Sequence, residues 1–217
     1  MPDATPVEVA TTPAQVVAVT HPLKFLPPAG HGAWPSPCGG GGVKREDLAV
    51  LTVLLPLADL RQQGKLDINV SKSKKLFVTF TSVKVSVKDA TGATGRTAAL
   101  LEAIKQREDL DSGVGKWLGG DYQDPWAETF GRAVLDGVDA GCWQWVDAHR
   151  NVVAALFKGD KTLQPQCDKI ATIEPEADRL VAVWRQFSAG ADFKDIHSKV
   201  EHAIRSHTET DDGPDFD

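Results

Sequence analysis

The chemistry that this sequence most clearly offers is that of a cationic, apolar ribbon at residues 71–89, SKSKKLFVTFTSVKVSVKD. The ribbon opens with Lys72, Lys74 and Lys75, and Phe77 follows shortly after them. Because each lysine near an anionic surface contributes about 1 kcal/mol of attraction, several together hold a protein weakly on that surface. We expect these residues to contact an anionic lipid surface or another copy of the chain, giving a homo-oligomer. The alternative is a hairpin folded back on the protein, with solvated lysines.

The positive charge of this region contrasts with an acidic chain. The net charge is −6 over 217 residues, yet residues 61–96 hold eight Lys and Arg and only two acids. The segment 208–217 holds five acids and neither Lys nor Arg, so it competes for the same cations. Since nucleic-acid-binding proteins are usually basic overall, we expect no nucleic acid as a partner. A local cationic patch still attracts an anionic surface within a Debye length.

No residue pattern typical of catalysis or cofactor binding occurs in the sequence. The four glycines 39–42 follow a proline-rich stretch rather than a strand, and they lack the lysine and hydroxyl of a phosphate-binding loop. His197, His202 and His207 recur every five residues, which places successive rings about 140° apart on a helix. They cannot share one face as metal ligands. The sequence therefore favours a non-enzymatic protein without metal or cofactor; an enzyme built on this fold is an open alternative.

The cysteines and the apolar runs bear on the compartment. Cys38, Cys142 and Cys167 are odd in number and widely spaced, which predicts free thiols in a reducing environment. The first residues lack the pattern of a secretory signal, and no run of about 18 apolar residues predicts a membrane span. We therefore expect a cytoplasmic protein, either free or peripheral on a membrane.

Composition divides the chain into three parts. Residues 1–42 hold eight of the 13 prolines and six of the 19 glycines, which predicts an extended, partly mobile arm. Apolar residues of this arm, Val16–Val19 and Phe25–Leu26, are expected to dock on the core. A helical domain follows at 43–207, and 208–217 form an acidic tail. Both chain ends, 1–15 and 208–217, are predicted to be dispensable for folding.

The helices that must position the ribbon follow from apolar spacing. A buried helix is predicted from Lys44 to Gly64, with a kink or break at Pro56. Asp124–Pro125 is a strong helix start, and Trp126 is predicted to anchor that helix in the core. The remaining helices are expected at 97–107, 173–187 and 193–204, whereas 152–157 fits either a strand or a helix.

The strands follow from a period of two over residues 66–88. SKSKK, at 71–75, is interpreted as the polar turn of a hairpin, and a shift of parity at Thr81–Ser82 predicts a bulge or a turn. The fold class is therefore mainly α: a single helical domain with a protruding β-hairpin at 66–88.

Three stretches carry a resemblance to a known family. They are LADLRQQGKLDI at 57–68, KDATGATGRTAALLEAI at 88–104 and KWLGGDYQDPWAETFGRAVLDGVDAGCW at 116–143. Their order resembles the Golgi phosphoprotein 3 family: a leucine-rich helix end, a hairpin, a Gly-containing turn opening a helix, then a tryptophan-bearing segment and a helix. The similarity covers about residues 48–157 and 178–189.

This resemblance implies a cytosolic peripheral membrane adaptor that binds a phosphoinositide head group, at the Golgi if the source is eukaryotic. It implies lipid contacts for Trp34, which corresponds to the family's pocket tryptophan, and for Arg132, which lies near a basic family position. Other residues stand where the family has its pocket arginines: Val53, Ala127 and Phe130. The family's arginine-rich N-terminal segment is absent too. The alternative is a soluble protein–protein interaction module without lipid binding.

Overall fold

The computed structural model describes residues 12–30, 33–91, 93–146 and 163–208, and helices dominate this part of the chain. The helices are α1 (Ala14–Thr20), α2 (Arg45–Gln62), α3 (Gly95–Arg107), α4 (Leu110–Leu118), α5 (Pro125–Asp139), α6 (Cys167–Thr172), α7 (Glu174–Ser188) and α8 (Phe193–Arg205). The strands are β1 (Trp34–Pro35), β2 (Gly42–Val43), β3 (Leu66–Lys75), β4 (Val78–Val87), β5 (Trp143–Trp145) and β6 (Leu163–Pro165). They pair consecutively into three antiparallel sheets. The prediction of a mainly α domain with a β-hairpin is confirmed.

Helix α2 is the centre of the core. It packs against α1, α5, α7 and α8, and its residues from Leu48 to Ala58 are all buried. Pro56 lies inside α2, yet the helix runs unbroken from Arg45 to Gln62, so the predicted break does not occur. Burial on every side compensates for the hydrogen bond that a proline removes from a helix, a loss of about 3 kcal/mol. Gly64, with φ of 70°, ends the helix as predicted.

The arm contributes more to the core than its composition predicts. Helix α1 lies within it, and Val16, Val17, Ala18 and Val19 have no exposed surface. The docking of Val16–Val19 is thus confirmed, whereas residues 14–20 form a helix where an extended, partly mobile arm was predicted. Trimming to residue 15 would also remove two buried side chains, Ala14 and Gln15. The apolar run after Pro13 outweighs the local excess of proline and glycine. Residues 1–11, 152–157 and 209–217 lie outside the described residues.

The cysteine prediction is corrected by the structure. Cys38 and Cys167 form a disulfide with their Cα atoms 5.6 Å apart, whereas Cys142 is free and buried. The disulfide joins the loop between β1 and β2 to α6, across a sequence separation of 129 residues. Disulfides persist mainly in oxidising compartments. The argument for a reducing, cytoplasmic environment from three free thiols therefore fails.

Helix α5 begins as predicted but is anchored by a different ring. The Asp124 carboxylate accepts a hydrogen bond from the Ala127 N–H at 3.0 Å, and Pro125 is the first helical residue. Trp126, however, is only partly buried, and the fully buried side chain is Phe130, one turn later. The Phe130 ring packs against the Trp34 ring, so the predicted anchor is displaced by one turn.

A buried carboxylate ties α1, α3 and α5 together. The Asp136 carboxylate accepts hydrogen bonds from the Gln15 side-chain amide, from the Arg96 guanidinium and, at 3.1 Å, from the Arg96 backbone N–H. Thr97 Oγ1 in turn donates to Gln15 Oε1 at 2.7 Å. The carboxylate therefore caps the beginning of α3 and holds α1 in place. Since α3 is the first helix after the hairpin, this contact also fixes where the chain re-enters the helical domain.

We expect Asp136→Asn to lower the free energy of unfolding by about 1.5–3 kcal/mol, the contribution of a hydrogen bond to a charged group. The amide keeps the size of the side chain but loses the charge that faces Arg96. Asp139→Asn is the matched control, because Asp139 lies on the same helix, is 80% exposed and approaches Arg96 only to 3.9 Å. Urea unfolding of both variants measures the difference, and equal effects would contradict the role given to Asp136.

Candidate functional site at the hairpin tip

The hairpin covers nearly the predicted range, but its strands are longer than the sequence pattern predicts and its turn lies elsewhere. Strands β3 and β4 pair without interruption from Leu66↔Val87 to Lys75↔Val78, so SKSKK belongs to β3 and is not the turn. No bulge interrupts the ladder at Thr81–Ser82, since Thr81 pairs with Lys72 and Ser82 with Ser71. Both of these predictions are wrong. The turn is the dipeptide Leu76–Phe77, two large apolar residues in place of the polar residues expected in a turn.

The base of the hairpin is fixed to the helical domain. Leu66, Ile68, Val83 and Val85 are buried, and the Val85 N–H donates to the Glu108 carbonyl at 2.8 Å. Beyond these residues the two strands leave the core, and most of their side chains are exposed. Residues 71–75 alone extend the ribbon by about 17 Å at the usual rise per strand residue. The helical domain still contacts the ribbon at Ser82, which donates to Asp109 at 2.9 Å, and at Lys72, which pairs with Asp195; the exposed tip lies beyond these contacts.

The apex of the ribbon consists of exposed apolar side chains. Leu76 is 92% and Phe77 95% exposed, and Val78 and Phe80 behind them are 54% and 53% exposed. We call these four residues the apolar tip. In the described part of the chain, the only other large apolar side chain in this class is that of Val146. A group of exposed apolar side chains is typical of a surface that contacts a protein, a membrane or a ligand.

The turn holds these side chains at a conformational cost. Leu76 and Phe77 have φ of 45° and 69°, the region that two-residue hairpin turns of the primed type require. Asn and Gly normally occupy such turns, since a positive φ costs an ordinary residue about 1–2 kcal/mol. The chain therefore accepts strain in order to carry leucine and phenylalanine at the apex. Local strain of this kind concentrates at functional sites.

The lysines of the ribbon differ from one another in their surroundings. Lys72 Nζ lies 2.7 Å from an Asp195 carboxylate oxygen at the beginning of α8, and this hydrogen bond raises the pKa of Lys72. Lys74 is exposed nearer to the tip. Lys75 is the last residue of β3, and its side chain lies outside the described residues. The charge of Lys72 is partly balanced within the protein, whereas Lys74 presents its charge to the surroundings.

The two faces of the ribbon carry different chemistry. Directly opposed residues of an antiparallel pair share a face, so Phe80 lies on the face of its partner Ser73. Lys72 and Lys74 alternate with Ser73 and hence lie on the other face. Lys72 and Lys74 therefore share one face of the distal ribbon, whereas Phe80 and Val78 share the other, on which Val78 pairs with Lys75.

The structure buries Trp34 and leaves Arg132 partly buried, with its guanidinium engaged by the protein itself. Trp34 is 5% exposed, and its ring centroid lies 4.9 Å from that of Phe130. Arg132 lies over the Trp117 ring and donates hydrogen bonds to the Trp117 and Leu118 carbonyls at 3.0 and 2.9 Å. Two residues apart on α5, Phe130 and Arg132 point in directions about 200° apart. Because Trp34 packs on Phe130, the structure does not bring Trp34 and Arg132 together as a lipid site. Arg132 instead hydrogen-bonds the end of α4.

One cavity in the described part of the chain contains an arginine, but that arginine is already paired with carboxylates. A cavity of about 350 Å³ lies between α1, α2, α3 and α7 and includes Arg179 in its wall. The guanidinium is paired with Asp59 at 2.8 Å and with Glu176 at 2.7 Å, which raises its pKa further above the ordinary value. Across the described ranges, no group of three or more His, Cys, Asp or Glu side chains is placed to hold a metal ion. The hairpin tip is therefore the best-supported site.

Sequence reasoning identified Phe77 and the lysines but missed Leu76, Val78 and Phe80 as members of the site. A signal for them is present: two runs of ten residues, 66–75 and 78–87, flank the dipeptide Leu76–Phe77 symmetrically. Equal strand lengths on either side of a dipeptide are typical of a two-residue hairpin.

Among the residues that the structure describes, no helix has both the length and the apolar character needed to cross a membrane. Comparison of the chain with protein-family models, with curated proteins and with solved structures gives no match. The resemblance to the Golgi phosphoprotein 3 family therefore stays a prediction from the residues that carry it.

Proposed function

We propose that this protein is a non-enzymatic, peripheral membrane-binding module whose hairpin tip contacts an anionic bilayer. One observation carries the proposal: a turn with positive φ at both residues presents Leu76 and Phe77 almost fully exposed at the end of a projecting ribbon. A narrow, convex apolar apex needs a partner that closes around it. The interior of a bilayer does so without a preformed pocket.

The spacing along the ribbon fits the layers of a bilayer. The polar layer on each side of the hydrocarbon core is about 5–7 Å thick. Lys74 lies two residues behind Leu76, a distance of about 7 Å along the strand. When Leu76 and Phe77 reach the hydrocarbon, Lys74 is therefore level with the lipid head groups. Lys72, about 13 Å behind the apex, lies about 6 Å outside that layer, still within a Debye length of the charged surface.

The expected strength is that of a reversible contact. Burying one leucine and one phenylalanine side chain contributes roughly 3–6 kcal/mol together, and each lysine near an anionic surface about 1 kcal/mol. The apolar contribution is the larger, whereas the lysines select anionic over neutral lipid. The membrane contact agrees with what the Golgi phosphoprotein 3 resemblance implies. The phosphoinositide pocket and the adaptor role implied by that family are not part of the proposal, because Trp34 is buried against Phe130 and the Arg132 guanidinium is hydrogen-bonded to the end of α4.

The test is co-sedimentation of the full chain with vesicles of phosphatidylcholine alone and of phosphatidylcholine with phosphatidylserine. Lys72→Ser/Lys74→Ser/Lys75→Ser is expected to weaken binding to the anionic vesicles about 30- to 150-fold, since it removes roughly 2–3 kcal/mol. Stability should change by less than about 1 kcal/mol, because exposed charges contribute little to it. Wild-type binding should also fade toward about 0.5 M salt, where screening is strong.

The matched control is Lys44→Ser/Lys105→Ser/Lys169→Ser, which removes the same charge from exposed positions elsewhere. This variant should bind the anionic vesicles nearly as the wild type does. If both triple variants bind equally well, and salt has no effect, the ribbon lysines are only solvated strand residues. If vesicles are not bound but the apparent mass in solution rises with concentration, the partner of the tip is a second copy of the chain.

A further inference from the structure

The Cys38–Cys167 disulfide lies at the surface and lines a cavity. Both residues are exposed, and they form part of the wall of a cavity of about 250 Å³. Other walls are supplied by Thr20, His21, Lys24 and Ser36. At roughly 30 Å³ for each water molecule, the cavity is as large as about eight of them. A small organic thiol therefore has room beside the two sulfur atoms.

The disulfide ties the loop between β1 and β2 to α6, and this loop is separate from the buried core. The loop between β1 and β2 contains Cys38 and three of the four glycines 39–42, and its cysteine is bonded to the first residue of α6. On either side of the loop, Trp34 and Val43 are buried and paired with each other in the β1–β2 ladder. Breaking the disulfide therefore frees the loop from α6 while Trp34 stays packed against Phe130.

We propose that this disulfide is a redox-responsive modification site that exchanges with a small-molecule thiol entering the cavity. The incoming thiolate attacks the Sγ of one half-cystine, the Cys38–Cys167 bond breaks, and a mixed disulfide forms. The other sulfur leaves with the electron pair and takes a proton. A second small thiol then attacks the mixed disulfide, which yields the oxidised small molecule and leaves both cysteines reduced.

His21 is placed to accept the proton of the incoming thiol. Thr20 Oγ1 donates to the carbonyls of Val16 and Val17, so it accepts from His21 Nδ1 at 3.0 Å, and Nε2 keeps its lone pair. Burial lowers the pKa of His21, and Lys24 lowers it further, against the opposing charges of Glu174 and Asp178. The imidazole is therefore neutral at pH 7 and able to act as a base.

Cys142 provides an internal reference in the same chain. It is fully buried, and burial raises the pKa of its thiol above the ordinary value. Both effects lower its reactivity, because the thiolate is the reacting form and must be accessible. Alkylation of Cys142 therefore reports unfolding of the core, whereas alkylation of Cys38 and Cys167 reports opening of the disulfide.

The test treats the oxidised full chain with reduced glutathione at pH 7.5 and traps new thiols with short pulses of iodoacetamide, read by mass. We expect a glutathione adduct, then a species with two labels, at Cys38 and Cys167, while Cys142 stays unlabelled. The rate should not change in urea concentrations below the unfolding transition. If three labels arrive together, and their rate rises with urea, opening requires global unfolding and the proposal is overturned.

The variant His21→Asn tests the role of the base, because asparagine keeps a polar side chain in the cavity wall but cannot accept the proton. A thiol of pKa about 8.5 is only about one tenth ionised at pH 7.5, so a base that deprotonates it raises the rate by at most about tenfold. We expect the variant to open several-fold more slowly at pH 7.5 and at the wild-type rate near pH 9.5, where the thiol ionises by itself. If the variant opens as fast as the wild type at both pH values, His21 does not act as the base.

Discussion

Leu76→Asn/Phe77→Gly is expected to abolish most binding to anionic vesicles and, at the same time, to make the protein more stable. Asn-Gly is the preferred dipeptide of a primed two-residue turn, since both residues tolerate a positive φ. Relief of the strain at φ of 45° and 69° should raise the free energy of unfolding by about 1–2 kcal/mol. Removal of the two apolar side chains costs roughly 3–6 kcal/mol of membrane affinity, a factor of about 10² to 10⁴.

Opposite signs for stability and binding make this variant informative. A variant that binds less because it is misfolded would lose stability, whereas this one should gain it. Val146→Ser is the control, because Val146 is 59% exposed and lies outside the tip. Urea unfolding and vesicle co-sedimentation are measured on the same preparations. Wild-type binding by the Asn-Gly variant would show that the apex does not enter the bilayer.

The hairpin shows what alternation predicts and what it leaves out. A period of two identifies strands, because side chains in a strand alternate between faces. It does not show where two strands join when the joining residues are apolar. Turn chemistry directed the prediction to the lysine-rich SKSKK, which the structure places in β3. The dipeptide Leu76–Phe77 violates the preference for turn residues, so the rule failed at the candidate site itself.

The arm was misread for a different reason. Proline and glycine are frequent over 1–42, but composition averages over a segment that contains both α1 and a loop. In α1 every residue from Ala14 to Thr20 is buried, which only the neighbouring α2 and α5 make favourable. A helix of seven residues is not stable by itself. Its existence therefore depends on tertiary packing that a local pattern does not contain.

The resemblance predicted where Trp34 and Arg132 lie along the chain, but not which residues surround them. Trp34 does precede the first core helix, as it does in the family, yet its ring packs on Phe130. Arg132 does lie on the predicted helix, yet its guanidinium hydrogen-bonds the end of α4. Whether a side chain is available to a ligand depends on the residues that it meets in three dimensions. Those partners are distant in sequence and carry no local signal.

The pairing of Cys38 with Cys167 was also beyond the sequence. Three cysteines allow three different single disulfides, and spacing does not choose among them. The choice depends on the approach of the β1–β2 loop to α6, which brings two Cα atoms separated by 129 residues to 5.6 Å. This one contact removes the basis on which free thiols and a reducing environment were predicted.

Cys38→Ser/Cys167→Ser is expected to lower the free energy of unfolding by about 5 kcal/mol. A disulfide restricts the unfolded chain, and for a closed loop of 129 residues the loss of chain entropy amounts to about 5 kcal/mol at 25 °C. This is a large part of the 5–15 kcal/mol that usually separates folded from unfolded domains. The folded state itself should change little, because Trp34 and Val43 keep the loop ends in the core.

Urea unfolding with and without a phosphine reductant measures this effect with its own control. The reductant should lower the stability of the wild type to that of the double serine variant and should leave the variant unchanged. If the free energies of unfolding of the oxidised wild type and the variant differ by less than about 1 kcal/mol, the disulfide does not stabilise the fold by restricting the unfolded chain. Since the hairpin lies outside the loop-to-α6 contact, the variant should still bind anionic vesicles at temperatures where it is folded. Redox state would then change the stability of the folded protein, while the apex sets how tightly it binds.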